Sequence, residues 1–300
     1  MLPTAADPVG SPTGSVGGPT STGPASPPAP EPVVVPIRPL AFHELLDLPF
    51  ALIQSRIRLL AAMIGVAIAV LTAVAVAVTA LISELSGDSD DAVGWAAILT
   101  TLVCAWSLRL LVRSVSVPIG LSALHRRRVS GIDVLRRAAS KTGPLLAFQL
   151  MYTLIGIGVL LLGAPLLITF PFAVIWLGWL RGRRAAILPL VFDDESAGYR
   201  AAAARAKLLA QGTEWQLVGV WLYLRGLMVV LLVPLLALPR FVSDISGTHR
   251  WAVTVLTIFF VLLVVAFSEL VESTTNVVVY ADRRCRREAW DIRWPGVNAS

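Results

Sequence analysis

Three hundred residues with 56% hydrophobic and only 15% charged side chains, at a mean hydropathy of +0.76, exclude a pair of ordinary soluble domains and indicate a polytopic membrane protein. The net charge of +6 is accounted for by membrane orientation, so the basic balance does not indicate a nucleic-acid partner. The run from Leu59 to Ile82 is apolar without alternation, which excludes the short strands of an outer-membrane barrel and predicts an all-α fold.

Residues 1–37 hold ten prolines, many Gly, Ser and Thr, and neither Lys nor Arg, so they are expected to be a disordered cytoplasmic tail rather than a cleaved leader. From Leu40 to Arg58, large apolar residues alternate with Glu44, Asp47, Gln54 and Arg56, as in a helix lying in the membrane interface, with a bend expected at Pro49. The first crossing is expected at 59–82, rich in alanine that allows close helix approach, and an acidic loop, "SELSGDSDD", follows. A second crossing at 92–111 has Arg109 and Arg113 near its far end and leads into the basic, amphipathic stretch "LSALHRRRVSGIDVLRRAASKTG".

Pro144 to Leu180 carries no charge, and as one helix it would extend about 55 Å, well beyond a bilayer core of about 30 Å. Both flanks are basic, so the segment must return to the side it left, with a turn near Gly163 to Pro165 and crossings at 144–162 and 165–180. A re-entrant hairpin is the alternative. A short surface helix is expected within "VFDDESAGYRAAAARAKLLAQG", with Ser196 at its start and Gly212 past its end. The fifth crossing spans 215–239, interrupted by Arg225, and the sixth spans 251–280. Residues 293–300 form a short tail after a membrane domain at 38–292.

Charge tests this six-helix layout: segments assigned to the cytoplasm hold 22 of the 25 Lys and Arg, leaving Arg225 within a crossing and Arg240 and Arg250 outside. Both termini are therefore expected in the cytoplasm. The basic residues are almost all arginine, which with heavy Ala, Gly and Pro usage fits a GC-rich bacterial genome and a cytoplasmic membrane location.

Two counts place Glu269 differently. It lies about 27 Å along the helix from Trp251 but only about 16 Å from Tyr280, so tilt, a kink near "ESTTN" or extension past the membrane must absorb the excess length. Arg225 lies about 15 Å beyond Trp215, a matching depth. A charge near the bilayer centre costs about 2.5–3.5 kcal/mol on insertion scales, so a partner is expected. The expected pair is Arg225 with Glu269, with Glu272 and Asn276 on the same face. The competing reading has Arg225 snorkelling to the surface.

Arg126, Arg127 and Arg128 beside His125, and the group Arg283, Arg284, Arg286 and Arg287, are candidate contacts for anionic lipid, although topology alone explains them. His43, His125 and His249 are far apart, no metal-ligand or nucleotide-binding spacing occurs, and no cofactor is expected. Cys104 and Cys285 are not expected to form a disulfide. Gly178 and Gly182 have GxxxG spacing, read as helix packing.

Three stretches, "RPLAFHELLDLPFALIQSRIRLL", "HRRRVSGIDVLRRA" and "VVVYADRRCRREAWDI", together resemble the glycerophosphoryl diester phosphodiesterase membrane domain and its stand-alone bacterial relatives, over about residues 38–292. The resemblance implies a six-helix membrane module with interfacial helices, sometimes attached to a catalytic barrel that this chain lacks room for, and it carries over no catalytic residue. The expectation is a non-enzymatic membrane protein of the bilayer, a scaffold or partner in a bacterial envelope-associated assembly, with anionic lipids and a membrane protein as candidate partners. The alternative is a small-solute or lipid transporter with Arg225, Glu269 and Glu272 lining a polar path.

Overall fold

The computed structural model describes residues 38–288, except 88, 126, 128, 164–167, 195–197 and 247–249; the tails at 1–37 and 293–300, Ser196, His249, Arg126 and Arg128 thus lie outside the described residues. Ten helices follow in chain order: α1 (Phe42–Ser55), α2 (Ile57–Leu85), α3 (Asp90–Leu124), α4 (Gly131–Ser140), α5 (Thr142–Gly163), α6 (Phe170–Gly182), α7 (Ile187–Asp193), α8 (Tyr199–Ala210), α9 (Glu214–Ser246) and α10 (Arg250–Glu288). Among the described residues there is no strand, and α2, α3, α5, α9 and α10 are each long and apolar enough to cross a membrane. The fold is an all-α polytopic membrane protein.

Local chemistry sets the helix ends. The Glu44 carboxylate accepts the Ala41 amide at 2.8 Å and pairs with Arg38 at 2.5 Å, which fixes the entry to α1. Pro49 is buried inside α1 without ending it, and the break comes at Arg56, whose φ of −127° separates α1 from α2. Gly87, at φ 61°, supplies the left-handed residue that the turn after α2 requires. Asp90 and Asp91 then occupy the first turn of α3, where the helix dipole favours negative charge.

On α2 the buried residues Leu60, Ile64, Ile68, Ala75 and Thr79 form one face against α3, while Val66, Val70, Val74 and Leu81 point outward. The same outward apolar character marks Trp95 to Leu111 on α3, Leu150 to Leu162 on α5 and Val229 to Val242 on α9. In water these side chains would form an exposed apolar patch far larger than a soluble protein tolerates.

At about 1.5 Å per residue α3 is about 52 Å long and α10 about 58 Å, both beyond the hydrocarbon thickness. The surplus is protein-covered. Val112 to Ser122 of α3 and nearly all of α10 from Glu269 to Cys285 are buried, packed against α1, α7 and α8. The helix runs uninterrupted through "ESTTN", so extension into a cap of short helices, rather than a break there, absorbs the excess length of the sixth crossing.

The fourth expected crossing, 165–180, is realised differently. α6 has 13 residues, about 20 Å, too short to span a full core. It packs antiparallel to α5, with Ala173 against Gly163, Leu177 near Val159 and Arg181 near Gly156. α6 thus runs back along α5 and is the shorter of the two. Gly178 and Gly182 face α9: a Cβ at Gly178 would stand 2.9 Å from the Trp221 ring, and one at Gly182 would stand 3.1 Å from Leu217 Cβ. The GxxxG spacing is a packing contact.

Candidate functional site

One turn of each of four helices, and the end of a fifth, converge on a buried polar cluster. α3 contributes Arg109 and Arg113 and α5 contributes Gln149 and Tyr152, in each case about one turn apart on one face. α6 ends at Arg181, α9 brings Arg225, and α10 presents Ser268, Glu269 and Glu272. Packing on both sides by apolar neighbours makes the helix faces that carry these groups point inward.

Arg113 is the hub. Its Nε donates to Glu269 Oε1, its Nη1 donates to Gln149 Oε1 at 2.5 Å, and its Nη2 lies 3.9 Å from Glu272. The Arg113 and Glu269 side chains are 3% and 2% exposed, so water screens this pair very little. Arg109 Nε stands 3.8 Å from the other Glu269 oxygen. Arg225 donates through Nη2 to Glu272 Oε2 and through Nη1 to Ser268 Oγ at 2.7 Å. The Tyr152 hydroxyl donates to Glu272 Oε1.

The Tyr152 ring is also approached by two guanidinium groups, with Arg113 Cζ at 4.3 Å and Arg181 Cζ at 4.0 Å from its centroid. The ring quadrupole gives these cations a favourable face where water is scarce. Gln149 completes the shell by donating to the Trp106 carbonyl at 3.4 Å.

The expected Arg225–Glu269 pair is therefore corrected. Arg225 pairs with Glu272, and Glu269 is claimed by Arg113 and Arg109. Glu269 and Glu272 are three residues apart on one helix, but α3 and α9 flank α10, so each carboxylate meets the arginine of its nearer neighbour. Arg225 points to α10 rather than snorkelling. Asn276 shares a small crevice with Glu272.

Depth along the helices is consistent. Arg113 lies about 27 Å from Trp95 on α3, Glu269 about 27 Å from Trp251 on α10, and Arg225 about 25 Å from Val242 on α9. The cluster sits toward the arginine-rich end of the bundle, at the edge of the outward apolar belt. Two crevices touch it. One of about 40 Å³ is bordered by Tyr152, Arg181, Arg184, Glu272 and Asn276; another of about 20 Å³ is bordered by Arg225, Ser268 and Glu272. At about 10–15 Å³ per water, they accommodate a few waters and no larger solute.

A second polar layer closes the arginine-rich end. Asp193 accepts from the Tyr280 hydroxyl at 2.6 Å and from Arg284 at 2.8 Å. Asp282 accepts the Leu40 amide at 2.7 Å and pairs with Arg286, which also donates to the Leu40 carbonyl at 2.7 Å. Arg205 and Arg284 share Glu288, and Arg287 donates to the Gln211 carbonyl. Arg283, a candidate lipid contact, is only 1% exposed and donates to the Gly182 carbonyl at 3.3 Å. Its helix face turns inward against α6, so it cannot reach a headgroup. The arginine group at the end of α10 ties the cap together.

Sequence reasoning named Arg225, Glu269, Glu272 and Asn276 but missed Arg113, Gln149, Tyr152 and Arg181 as parts of the same cluster. The available signal was spacing: Arg109 with Arg113, and Gln149 with Tyr152, each repeat on one helix face like Glu269 with Glu272. Among the described residues, no three His, Cys, Asp or Glu side chains gather as a metal ion requires. Comparison with protein-family models, with curated proteins and with solved structures found no match to this chain.

Proposed function

We propose that this chain is a non-enzymatic integral protein of a bacterial cytoplasmic membrane, with both termini in the cytoplasm, that serves as a structural partner in an envelope-associated assembly. One observation carries the choice between scaffold and conduit: both carboxylates of the buried cluster are engaged by arginines, and the crevices beside them have room for only a few waters. A transporter using Arg225, Glu269 and Glu272 as a polar path needs a hydrated route to those groups. A closed interior supports the scaffold.

A surface feature points the same way. Between α3, α9 and α10 runs a groove of about 950 Å³, lined by small and apolar side chains such as Ala97, Ile98, Leu102, Ala237, Phe241 and Val261. Small residues at such a depression allow a partner helix to approach closely.

The test is extraction of the chain, expressed from its own locus, into polymer nanodiscs, followed by native mass spectrometry. A complex of fixed stoichiometry that is lost in Ala97→Phe, with the chain itself still present at its normal level, is expected. A lone chain under all extraction conditions would overturn the scaffold reading.

A further inference from the structure

A second cavity, separate from the buried cluster, opens at the arginine-rich end between the last turns of α3, one face of α4 and the end of α7. Its volume is about 570 Å³, within the usual range of small-molecule sites. Arg127, Arg137 and Lys141 line it, with a single carboxylate among the described residues, Asp193. That carboxylate is already engaged by Tyr280 and Arg284, and its other oxygen stands 3.5 Å from His125 Nε2. Three cations thus face this space, Lys141 also donating to the Asp194 carbonyl at 3.5 Å, and the acidic wall residue is committed to other partners.

The helix that walls the cavity carries the marks of an interfacial position. α4 buries Val134 completely against the bundle but leaves Ile132 70% and Leu135 56% exposed, with Arg136 and Arg137 following in the next turn. A short helix that exposes large apolar side chains with arginines beside them suits the interface, with the apolar groups toward acyl chains and the arginines toward headgroups. α4 starts beside α2, where Gly131 faces Leu59 and Met63, next to Arg56 and Arg58. Part of the wall is apolar, through Pro118, Leu121, Val129 and Phe192, which suits a ligand with a hydrocarbon end.

We propose that this cavity binds a phosphate-bearing anion, the headgroup of an anionic phospholipid, with Arg127, Arg137 and Lys141 as its cationic ligands. Guanidinium and ammonium donors at one locus give charge-assisted hydrogen bonds to phosphate oxygens, and the interfacial position delivers the lipid laterally. The site is independent of the scaffold reading, because it requires no partner protein.

Lysine usage provides an internal control. The chain has two lysines: Lys141 in this cavity and Lys207 on the exposed side of α8. Full-length protein in detergent is acetylated with an amine-reactive ester, and the two sites are quantified by mass spectrometry. Dioctanoyl phosphatidylglycerol at about four times its Kd is expected to slow modification of Lys141 about 5-fold relative to Lys207, and dioctanoyl phosphatidylcholine is not. Equal protection by glycerol 3-phosphate or inorganic phosphate would assign the site to a soluble phosphate, and protection by the lipid alone assigns it to a headgroup.

An unchanged Lys141 to Lys207 ratio with every phosphate compound, or equal protection by phosphatidylcholine, would overturn the site. Arg127→Gln combined with Arg137→Gln is expected to weaken lipid affinity about 10-fold, so that protection of Lys141 at the same lipid concentration falls to about 1.4-fold while Lys207 reacts as before. Persistent protection in that variant, shown folded by an unchanged melting temperature, would overturn the assigned ligands; the wild-type footprint stands as a test even where the variant does not fold.

Discussion

Replacing Arg225 by Gln removes one side of a buried pair, and the geometry sets the scale of the loss. Deleting one partner of such a pair costs about 3–5 kcal/mol when the other is left without compensation. Here Glu272 keeps the Tyr152 hydroxyl and has Arg113 Nη2 at 3.9 Å, so the loss falls at the low end, about 3 kcal/mol. Glu272→Gln leaves Arg225 with Ser268 Oγ at 2.7 Å and costs about the same. In the double variant the pair is removed as a neutral unit and the net charge of the cluster is unchanged, so the two losses should fall short of additivity by about 2–3 kcal/mol. Arg225→Gln with Glu269→Gln should instead be nearly additive, within about 0.5 kcal/mol, because Glu269 is held by Arg113. Unfolding of purified protein by increasing SDS in mixed micelles, followed through the fluorescence of its nine tryptophans, measures both cycles. Strong coupling of 225 with 269, and none with 272, would refute the pairing.

Three further outcomes follow from single contacts. Gly158 has no atom within 4 Å of an added Cβ, so Gly158→Ala should stabilise α5 by about 0.5–1 kcal/mol, whereas Gly163→Ala sets a Cβ 2.3 Å from Ala173 Cβ and should cost about 1–3 kcal/mol; thermal unfolding of the two variants compares them. The Ala41 amide and then Arg38 hold the Glu44 carboxyl below its ordinary range, so its contribution is present above the unfolded-state pKa and disappears as pH falls through the lower folded value; exchange protection of the Ala41 amide should vanish only in that acidic window, and Glu44→Gln should abolish the dependence. Asp282→Ala removes the acceptor of the buried Leu40 amide and the partner of Arg286, at about 1–3 kcal/mol, and limited proteolysis should then cut faster just before α1.

Much of the architecture was legible because hydrophobicity alone sets it. The expected segments at 59–82, 92–111, 144–162, 215–239 and 251–280 each fall within one of the long helices, whose ends lie further out. The extensions were hidden for a physical reason. Val112 to Leu124 and Leu270 to Cys285 are buried against each other and by short helices, most of them distant in sequence, so their polar residues resemble an ordinary membrane flank when read alone. The length of α6 was equally obscure, since an uncharged run shows where water is absent but not where a helix begins.

Pairing within the cluster could not be read from composition. Glu269 and Glu272 offer two acceptors on one face, and which arginine reaches which depends on the order of α3, α9 and α10 around them. Arg113 looked like a topology signal for the same reason that Arg181 did: both stand next to basic flanks, and only packing reveals that they turn inward.

Four arginines, Arg109, Arg113, Arg181 and Arg225, meet only two carboxylates among the described residues, Glu269 and Glu272, so formal charges leave the cluster positive. A carboxylate for every arginine would require two more buried anions, each with its own desolvation cost. The chain instead uses neutral groups. Tyr152 gives its ring to two guanidiniums and its hydroxyl to Glu272, Gln149 accepts from Arg113, Ser268 accepts from Arg225, and Arg109 remains partly exposed. Tyr152 therefore compensates cation and anion at once, which a second glutamate in its place would not do. Tyr152→Phe separates the two roles: it keeps the ring beneath Arg113 and Arg181 but strips Glu272 of a donor, and its cost should fall well below that of Tyr152→Leu, which removes both.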